Sequence, residues 1–426
     1  MILMEHNYEI QDFFKNVGLN LKPNETIALQ TFMQGLLINE RASIKSISEN
    51  TIYGLGERQM NRAIHQLSTR SDKILWNNFK QLQTIPGLQA LPSGVISLDE
   101  HIIPKTGKSI EGVDYFHVNS GAKNTLGLSM ISTHYYGGKI EYPIDRDIYR
   151  RLQELEKYGK EETYRSKNEI ARQLIHRCHE MSIPCNTWVM DSYFMTKENV
   201  TELLLRGYSY ISKIKRNWSV TYDRKHWSVS SLQEGIPKAE YEQVEVINPK
   251  THQKKYFLTV ARDVFIKKLG NNTLIFIKEL EKKTSGEFIE KYPDGWACLV
   301  TNIHDTPPKQ IIKTYMKRWV IETSYRDDTQ ELHLKGCQWR NIEGQYCFIS
   351  LVFLAYRFLV WAEQQGVLKG YNSNLRTIGE KREAFKRLNN EEFGVWIQHL
   401  NEQCPSCEIA QILRELVYGA KVEKFL

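Results

Sequence analysis

Three acidic residues, Asp99, Asp191 and Glu322, make the best case for chemistry in this chain. Asp99 follows the apolar run Val95-Ile96-Ser97-Leu98, and Asp191 follows a second run of strand length, Asn186 to Met190. In open α/β sheets, ligands gather at the carboxyl ends of strands, where side chains leave the core for the solvent crevice. Either aspartate alone is better explained as a turn residue. Glu322 belongs to a segment whose apolar stripe runs through Ile311, Ile312, Tyr315 and Trp319, and it stands where the next hydrophobe is expected. Helical spacing puts Tyr315, Arg318, Glu322 and Arg326 on one side. A charged group that continues a buried stripe is costly unless it is paired or metal-bound. A salt bridge from Glu322 to Arg318 or Arg326 would meet that need with no chemistry at all.

Three carboxylates suit hard divalent cations, which take oxygen ligands. Two such ions, roughly 3.5–4 Å apart, activate an attacking oxygen and stabilise a leaving one when a phosphodiester is cut. Arg318, Arg326 and Tyr315 could then hold a phosphate backbone.

Positioning three acids so far apart in sequence requires strands that end together and a helix beside them. Residues 1–90 read as helical, with Thr26 to Ile38 and Glu57 to Leu67 showing helical spacing around a glycine-containing turn. That pattern fits a DNA-binding helix-turn-helix and an ordinary small bundle equally well. Residues 91–215 alternate strands with helices. The strand candidates are Val95 to Leu98, Thr125 to His134, Lys139 to Ile144, Asn186 to Met190 and Tyr208 to Ile214. The helices are Asn168 to Met181 and one capped by Thr196. Residues 216–303 read as a β-rich insertion with five more basic than acidic residues over 213–300. Pro307-Pro308 precedes one long helix, Lys309 to Leu332, within a segment 304–370. Helices are expected over 345–365 and 376–418, the latter within a helical C-terminal region, 371–426.

Composition sets the outer limits. The 426 residues carry 41% hydrophobic and 25% charged side chains, as an ordinary globular protein does. A net charge of +7 permits nucleic acid as a partner without requiring it. No N-terminal signal peptide is visible. The apolar stretch Tyr346 to Ala362 contains Arg357, which near a bilayer centre costs roughly 2.5–3.5 kcal/mol, so a buried core helix is the better account. Seven cysteines without a disulfide rhythm point to a reducing, cytoplasmic setting; Cys404-Pro-Ser-Cys407 has no second ligand pair for zinc near it in sequence.

Three passages resemble the DDE (Asp-Asp-Glu) transposases of insertion sequences, in the branch with a Tyr-Arg-Glu-Lys signature. They are Ser97-Leu98-Asp99-Glu100-His101 through Lys108, Trp188-Val189-Met190-Asp191-Ser192-Tyr193-Phe194, and Tyr315-Met316-Lys317-Arg318-Trp319-Val320-Ile321-Glu322 through Arg326. The last is the most specific, and the resemblance spans about residues 25–365. It departs from the signature at position 329, where Thr replaces the expected lysine; Arg326 or Lys335 could supply that charge. This leaves open the hairpin step that accompanies the signature.

The resemblance implies an α/β fold: an RNase H-like mixed sheet flanked by helices, with a β-rich insertion and an N-terminal helical domain. It implies Asp99, Asp191 and Glu322 as both catalytic residues and ligands of two Mg²⁺ ions (Mn²⁺ may substitute), with Asp99 bridging the pair. Tyr315, Arg318, Arg326 and Lys335 would contact DNA. The expected activity is cut-and-paste transposition on terminal inverted repeats and target DNA, by a homodimer in a synaptic complex, with no membrane partner. Trp296 and Trp319 read as core residues before they read as base-stacking ones. The rival readings are a catalytically inactive DNA-binding relic and another RNase H-like nuclease.

Overall fold

The computed structural model describes residues 3–4, 7–15, 17–18, 20–52, 55–117, 124–248, 251–292, 295–371 and 375–403. The Cys404–Cys407 pair and the end of the helix expected to reach 418 lie outside the described residues. Five helices come first: α1 (Tyr8–Phe14), α2 (Pro23–Ile38), α3 (Ile44–Glu49), α4 (Glu57–Ser68) and α5 (Ser71–Leu82). Then follow β1 (Val95–Pro104), β2 (Asp114–His117), β3 (Asn124–Tyr136) and β4 (Glu141–Tyr149). Next are α6 (Lys167–Glu180), β5 (Thr187–Met190), α7 (Lys197–Leu205) and β6 (Ser209–Lys213). The β-rich stretch supplies β7 (Ser219–Tyr222), β8 (Lys225–Ser228), β9 (Glu242–Ile247), β10 (Lys254–Ile266), β11 (Gly270–Lys282), β12 (Phe288–Glu290) and β13 (Ala297–Thr301). The described residues close with α8 (Pro308–Met316), α9 (Trp319–Gln330), α10 (Ile342–Gln364) and α11 (Ile378–Gln403).

These strands join one mixed sheet in the order β8-β7-β10-β11-β13-β6-β5-β1-β3-β2, with β9 on β10, β12 on β11 and β4 on β3. The α/β class read from the sequence is therefore the fold observed, a large mixed sheet with helices against it, consistent with an RNase H-like arrangement. Its centre is parallel: β1 pairs with β5, and β5 with β6. The β-rich stretch does not form a sheet of its own. Antiparallel pairing of β13 with β6, Leu299 opposite Lys213, makes it a continuation of the central sheet.

The chain forms two compact units. One comprises residues 1–89, 102–128 and 324–426. Its axis is α10, on which α1, α2, α4, α5 and α11 pack. This helix is long and apolar enough to cross a membrane, yet its most apolar window is 94% buried within the protein. Arg357 is fully buried in it, and its charge is answered by hydrogen bonds to the Leu75 carbonyl (2.7 Å) and Asn78 Oδ1 (3.3 Å). On α4 the buried residues are Met60, Ala63, Ile64 and Leu67, as the spacing predicts, while Arg58, Arg62 and His65 are exposed.

The other unit, residues 90–101 and 129–323, contains the three acids. Its sheet buries Val95, Val189, Ile211, Ile275 and Leu299 in one cluster with Ile311 and Ile312 of α8 and Val320 of α9. Helix α6 is fastened to the sheet by charge as well as by apolar contact. Arg177 donates to Asp145 Oδ2 (2.6 Å) and Asp147 Oδ2 (3.4 Å) on β4, both aspartates being buried. Such pairs add little net stability, but removing one partner strands a buried charge.

Among the boundaries that differ from the sequence reading, two bear on the acids. Strand β1 runs on past Leu98 to Pro104, so Asp99 lies within a strand and not after one. The single helix expected from Lys309 to Leu332 is two helices, broken at Lys317 and Arg318.

Gly127 on β3 fixes how closely this strand meets the far end of β1. A Cβ there would stand 2.4 Å from the Ile103 carbonyl oxygen, a backbone atom that cannot move aside. Gly127→Ala is expected to destabilise the protein by about 1–3 kcal/mol, as overpacking does. Chemical denaturation measures this, and an unchanged midpoint would show that the strand has room to spare.

Candidate active site

Parallel pairing puts the two aspartates side by side. Leu98 of β1 is level with Met190 of β5, the last residue of that strand. Asp99 and Asp191 are the next residues on strands spaced about 4.8 Å apart. Beyond Met190 the chain of β5 turns away beside Asp99. The turn is built on Asp191 itself, whose Oδ1 accepts the backbone N–H of Tyr193 (2.9 Å) and of Phe194 (3.2 Å). This Asx-type turn fixes the carboxylate. The Asp191 carbonyl accepts Ser212 Oγ from β6 at 3.0 Å. Asp99 Oδ1 accepts the N–H of Glu100 at 2.9 Å.

Glu322 arrives by way of the break between α8 and α9. Four backbone bonds there run three residues back: Lys317 to Thr314, Arg318 to Tyr315, Val320 to Lys317 and Ile321 to Arg318. This tight 3₁₀-like stretch turns the helix faster than an α-helix would, so side chains beyond it are re-phased. The expected stripe fails at Trp319 for that reason. Trp319 is 61% exposed, and Val320 and Ile321 are buried in its place. Trp296, the other tryptophan read as core, is partly buried, with the Arg216 guanidinium 4.3 Å from its ring centroid.

Arg318 ties the acids together. Its Nη1 donates to Asp99 Oδ2 at 2.5 Å, and its Nη2 donates to Glu322 Oε1. The salt bridge that spacing alone allowed between Arg318 and Glu322 is present, and the same guanidinium also reaches the first aspartate. Burial pushes the Asp99 carboxyl up to about 7. Arg318 pulls it down, and the charges of Asp191 and Glu322 push it further up. Asp99 therefore feels both of the other acids, and Arg318 does not cancel the combined effect of burial and their charge. Tyr315 Oη is buried beside Arg318, and burial raises its pKa.

The three side chains offer only carboxylate oxygens, the donors that hard divalent ions take. As they stand, with Arg318 bonded to two of them, no three His, Cys, Asp or Glu side chains among the described residues are grouped to hold a metal ion. Arg318 is the cation at this site.

Of the four residues expected to contact DNA, Arg318 is 12% exposed at its side chain and engaged with the acids. Tyr315 packs against the core cluster. Arg326 (side chain 60% exposed, 3.7 Å from Asp327) and Lys335 (exposed) belong to the other compact unit. Sequence reasoning missed Lys167. This residue at the start of α6 pairs with Glu100 beside Asp99, and Glu100 also accepts Ser129 Oγ at 2.6 Å. No spacing links positions 100, 129 and 167, so only the fold reveals them.

Two protein families match the chain. A transposase DDE domain matches residues 162–358, and a DDE superfamily endonuclease matches residues 21–251, more than half of the sequence. The chain belongs to the DDE superfamily. The first match takes in Asp191 and Glu322, and the second takes in Asp99 and Asp191. No curated protein matches. The family gives the protein a transposase-like or endonuclease function, in a superfamily that generally uses divalent metals.

The Asp99 environment predicts a pH dependence of stability in metal-free protein. Its folded pKa, about 7, lies above the ordinary 3.8. Between those values the folded chain keeps a proton that the unfolded chain has lost, so its contribution to stability falls as pH rises. Asp99→Asn carries no such proton. In EDTA, the variant is expected to gain stability relative to wild type as the buffer goes from about pH 5 to about pH 8. Denaturation curves that shift in parallel for both proteins would contradict this.

Proposed function

We propose that the protein is a transposase that cuts DNA at the ends of its own element and joins the freed 3′-hydroxyls to target DNA. The observation that carries this reading is the meeting of Asp99, Asp191 and Glu322, the first two level on adjacent parallel strands and the third tied to Asp99 through Arg318. Asp99, Asp191 and Glu322 would hold Mg²⁺ or Mn²⁺. Such ions, when bound, supply positive charge to the scissile phosphate and lower the pKa of a nucleophilic water.

The chain's own groups prepare the site. Burial of Asp99 keeps its carboxylate in low-dielectric surroundings, where charge interactions are strong. The backbone N–H groups of Tyr193 and Phe194 hold Asp191 in one orientation. Arg318 balances part of the negative charge before substrate arrives. A DNA phosphate offers its planar fork a second bidentate partner. In our reading Arg318 passes from the acids to the DNA backbone as the strand binds, with Arg326 and Lys335 as further phosphate contacts. The Tyr315, Arg318 and Glu322 spacing supports the Tyr-Arg-Glu-Lys branch, with Thr329 in place of the lysine. Terminal inverted repeats and target DNA are the proposed partners, bound by a homodimer.

The test uses full-length protein and a duplex containing the DNA that flanks the gene. Asp99→Asn, Asp191→Asn and Glu322→Gln should each lower cleavage in Mg²⁺ by on the order of a thousandfold or more. Cleavage by the variants at the wild-type rate would remove the acids from the reaction. A wild type that cuts any duplex alike, with no preference for the flanking repeats, would point to a general nuclease.

A further inference from the structure

The pairing of β1 with β5 stops at Leu98 and Met190. Strand register therefore brings Asp99 and Asp191 level without aiming their carboxylates. Backbone N–H groups do that. Asp99 Oδ1 accepts the N–H of Glu100, and Asp191 Oδ1 accepts the N–H of Tyr193, both at 2.9 Å. The side chains of those two donors meet the same cation. Lys167 Nζ pairs with Glu100 Oε1 and lies 5.7 Å from the ring centroid of Tyr193. Tyr149 of β4 also faces this ammonium, with its ring centroid 5.2 Å away, and Ser129 Oγ of β3 donates to Glu100 at 2.6 Å. All of these residues belong to the unit that contains the acids.

The place of this cation in the chain calls for explanation. Lys167 is the first residue of α6, at the end of a helix where the backbone dipole disfavours positive charge. The helix has no need of it. Ser166 and Glu169 already cap α6, and the Arg177 pairs already fasten it to β4. An ion pair whose side chains are only 18% and 20% exposed adds little net stability either. What the lysine does accomplish is to restrain, with one charge, the two residues whose N–H groups hold the aspartates.

We propose that Lys167 is a positioning residue: by tying Glu100 to Tyr193 it sets the orientation of the Asp99 and Asp191 carboxylates for divalent ions. This deepens the transposase reading and rests on it for the presence of those ions. Lys167 acts on them only through Glu100 and Tyr193.

The experiment uses the full-length chain. Mn²⁺ binding is followed by electron paramagnetic resonance without DNA, and cleavage in Mg²⁺ is followed on the duplex described above. Lys167→Met alone leaves Glu100 charged without its cation. The deciding variant is Lys167→Met with Glu100→Gln, which removes both charges together and is expected to melt near wild type. It should bind Mn²⁺ more weakly by on the order of tenfold or more, and its kcat should fall by a similar factor at an unchanged KM for DNA. Lys167→Arg keeps the charge and should recover most of both. A double variant that binds Mn²⁺ and cleaves as wild type does overturns the proposal. So does a double variant that melts well below wild type, which would make the pair a structural fastener. A KM that rises at constant kcat would make Lys167 a DNA contact, and a loss shared in full by Lys167→Arg would remove the charge from the argument; either result also overturns it. Asp99→Asn separates this role from the reading beneath it. If that variant binds Mn²⁺ as tightly as wild type, the acids are not the ligands and the metal reading itself fails. If it binds weakly while the double variant binds normally, only the role of Lys167 is lost.

Discussion

Carboxylates brought close together repel one another, and in this protein much else is arranged around that repulsion. Asp99 is buried, faces Asp191 and Glu322, and has its proton affinity raised by all three circumstances. Such a cluster is unstable in isolation. It persists because Arg318 is bonded to two of the acids and because backbone N–H groups are bonded to the third.

Rigid elements hold the opposing charges in place. Parallel pairing fixes residue 99 against residue 191 through the register of the preceding pair. Ile311, Ile312 and Val320 pack against the sheet and carry the α8–α9 segment to a set depth. The 3₁₀-like turn between those helices then aims Arg318 and Glu322 at the strands and turns Trp319 outward. Helix α6 is held by the Arg177 pairs with β4, and it delivers Lys167 to the vicinity of Glu100. The rest of the sheet continues outward to β8.

The family matches agree with this picture at the level they reach. They overlap in the stretch that holds Asp191, and between them they span all three acids. The strand register sets Asp99 beside Asp191, and the Arg318 bridge joins Asp99 to Glu322.

How much of this was legible beforehand differs from element to element. Apolar runs of strand length showed where β1 and β5 begin, because buried parallel strands require continuous hydrophobes. Helical spacing found α4 and α6, and Thr196 does accept the Asn199 N–H as the cap of α7 (3.2 Å). The acids were visible because carboxylates at strand ends and on an apolar stripe are out of place unless something answers their charge. The break at Lys317–Arg318 was not visible, since no proline or glycine marks it; packing of Val320 and Ile321 against the core is what re-phases the helix. The continuity of β13 with β6 was equally hidden, because hydrogen bonds between strands about ninety residues apart leave no local pattern. Sequence by itself determined which side chains are charged, which stretches must be buried and in what order they come. Tertiary structure decided which charges meet, because neutralisation is settled by distances across the fold, and a single arginine standing between two acids is a fact of geometry alone.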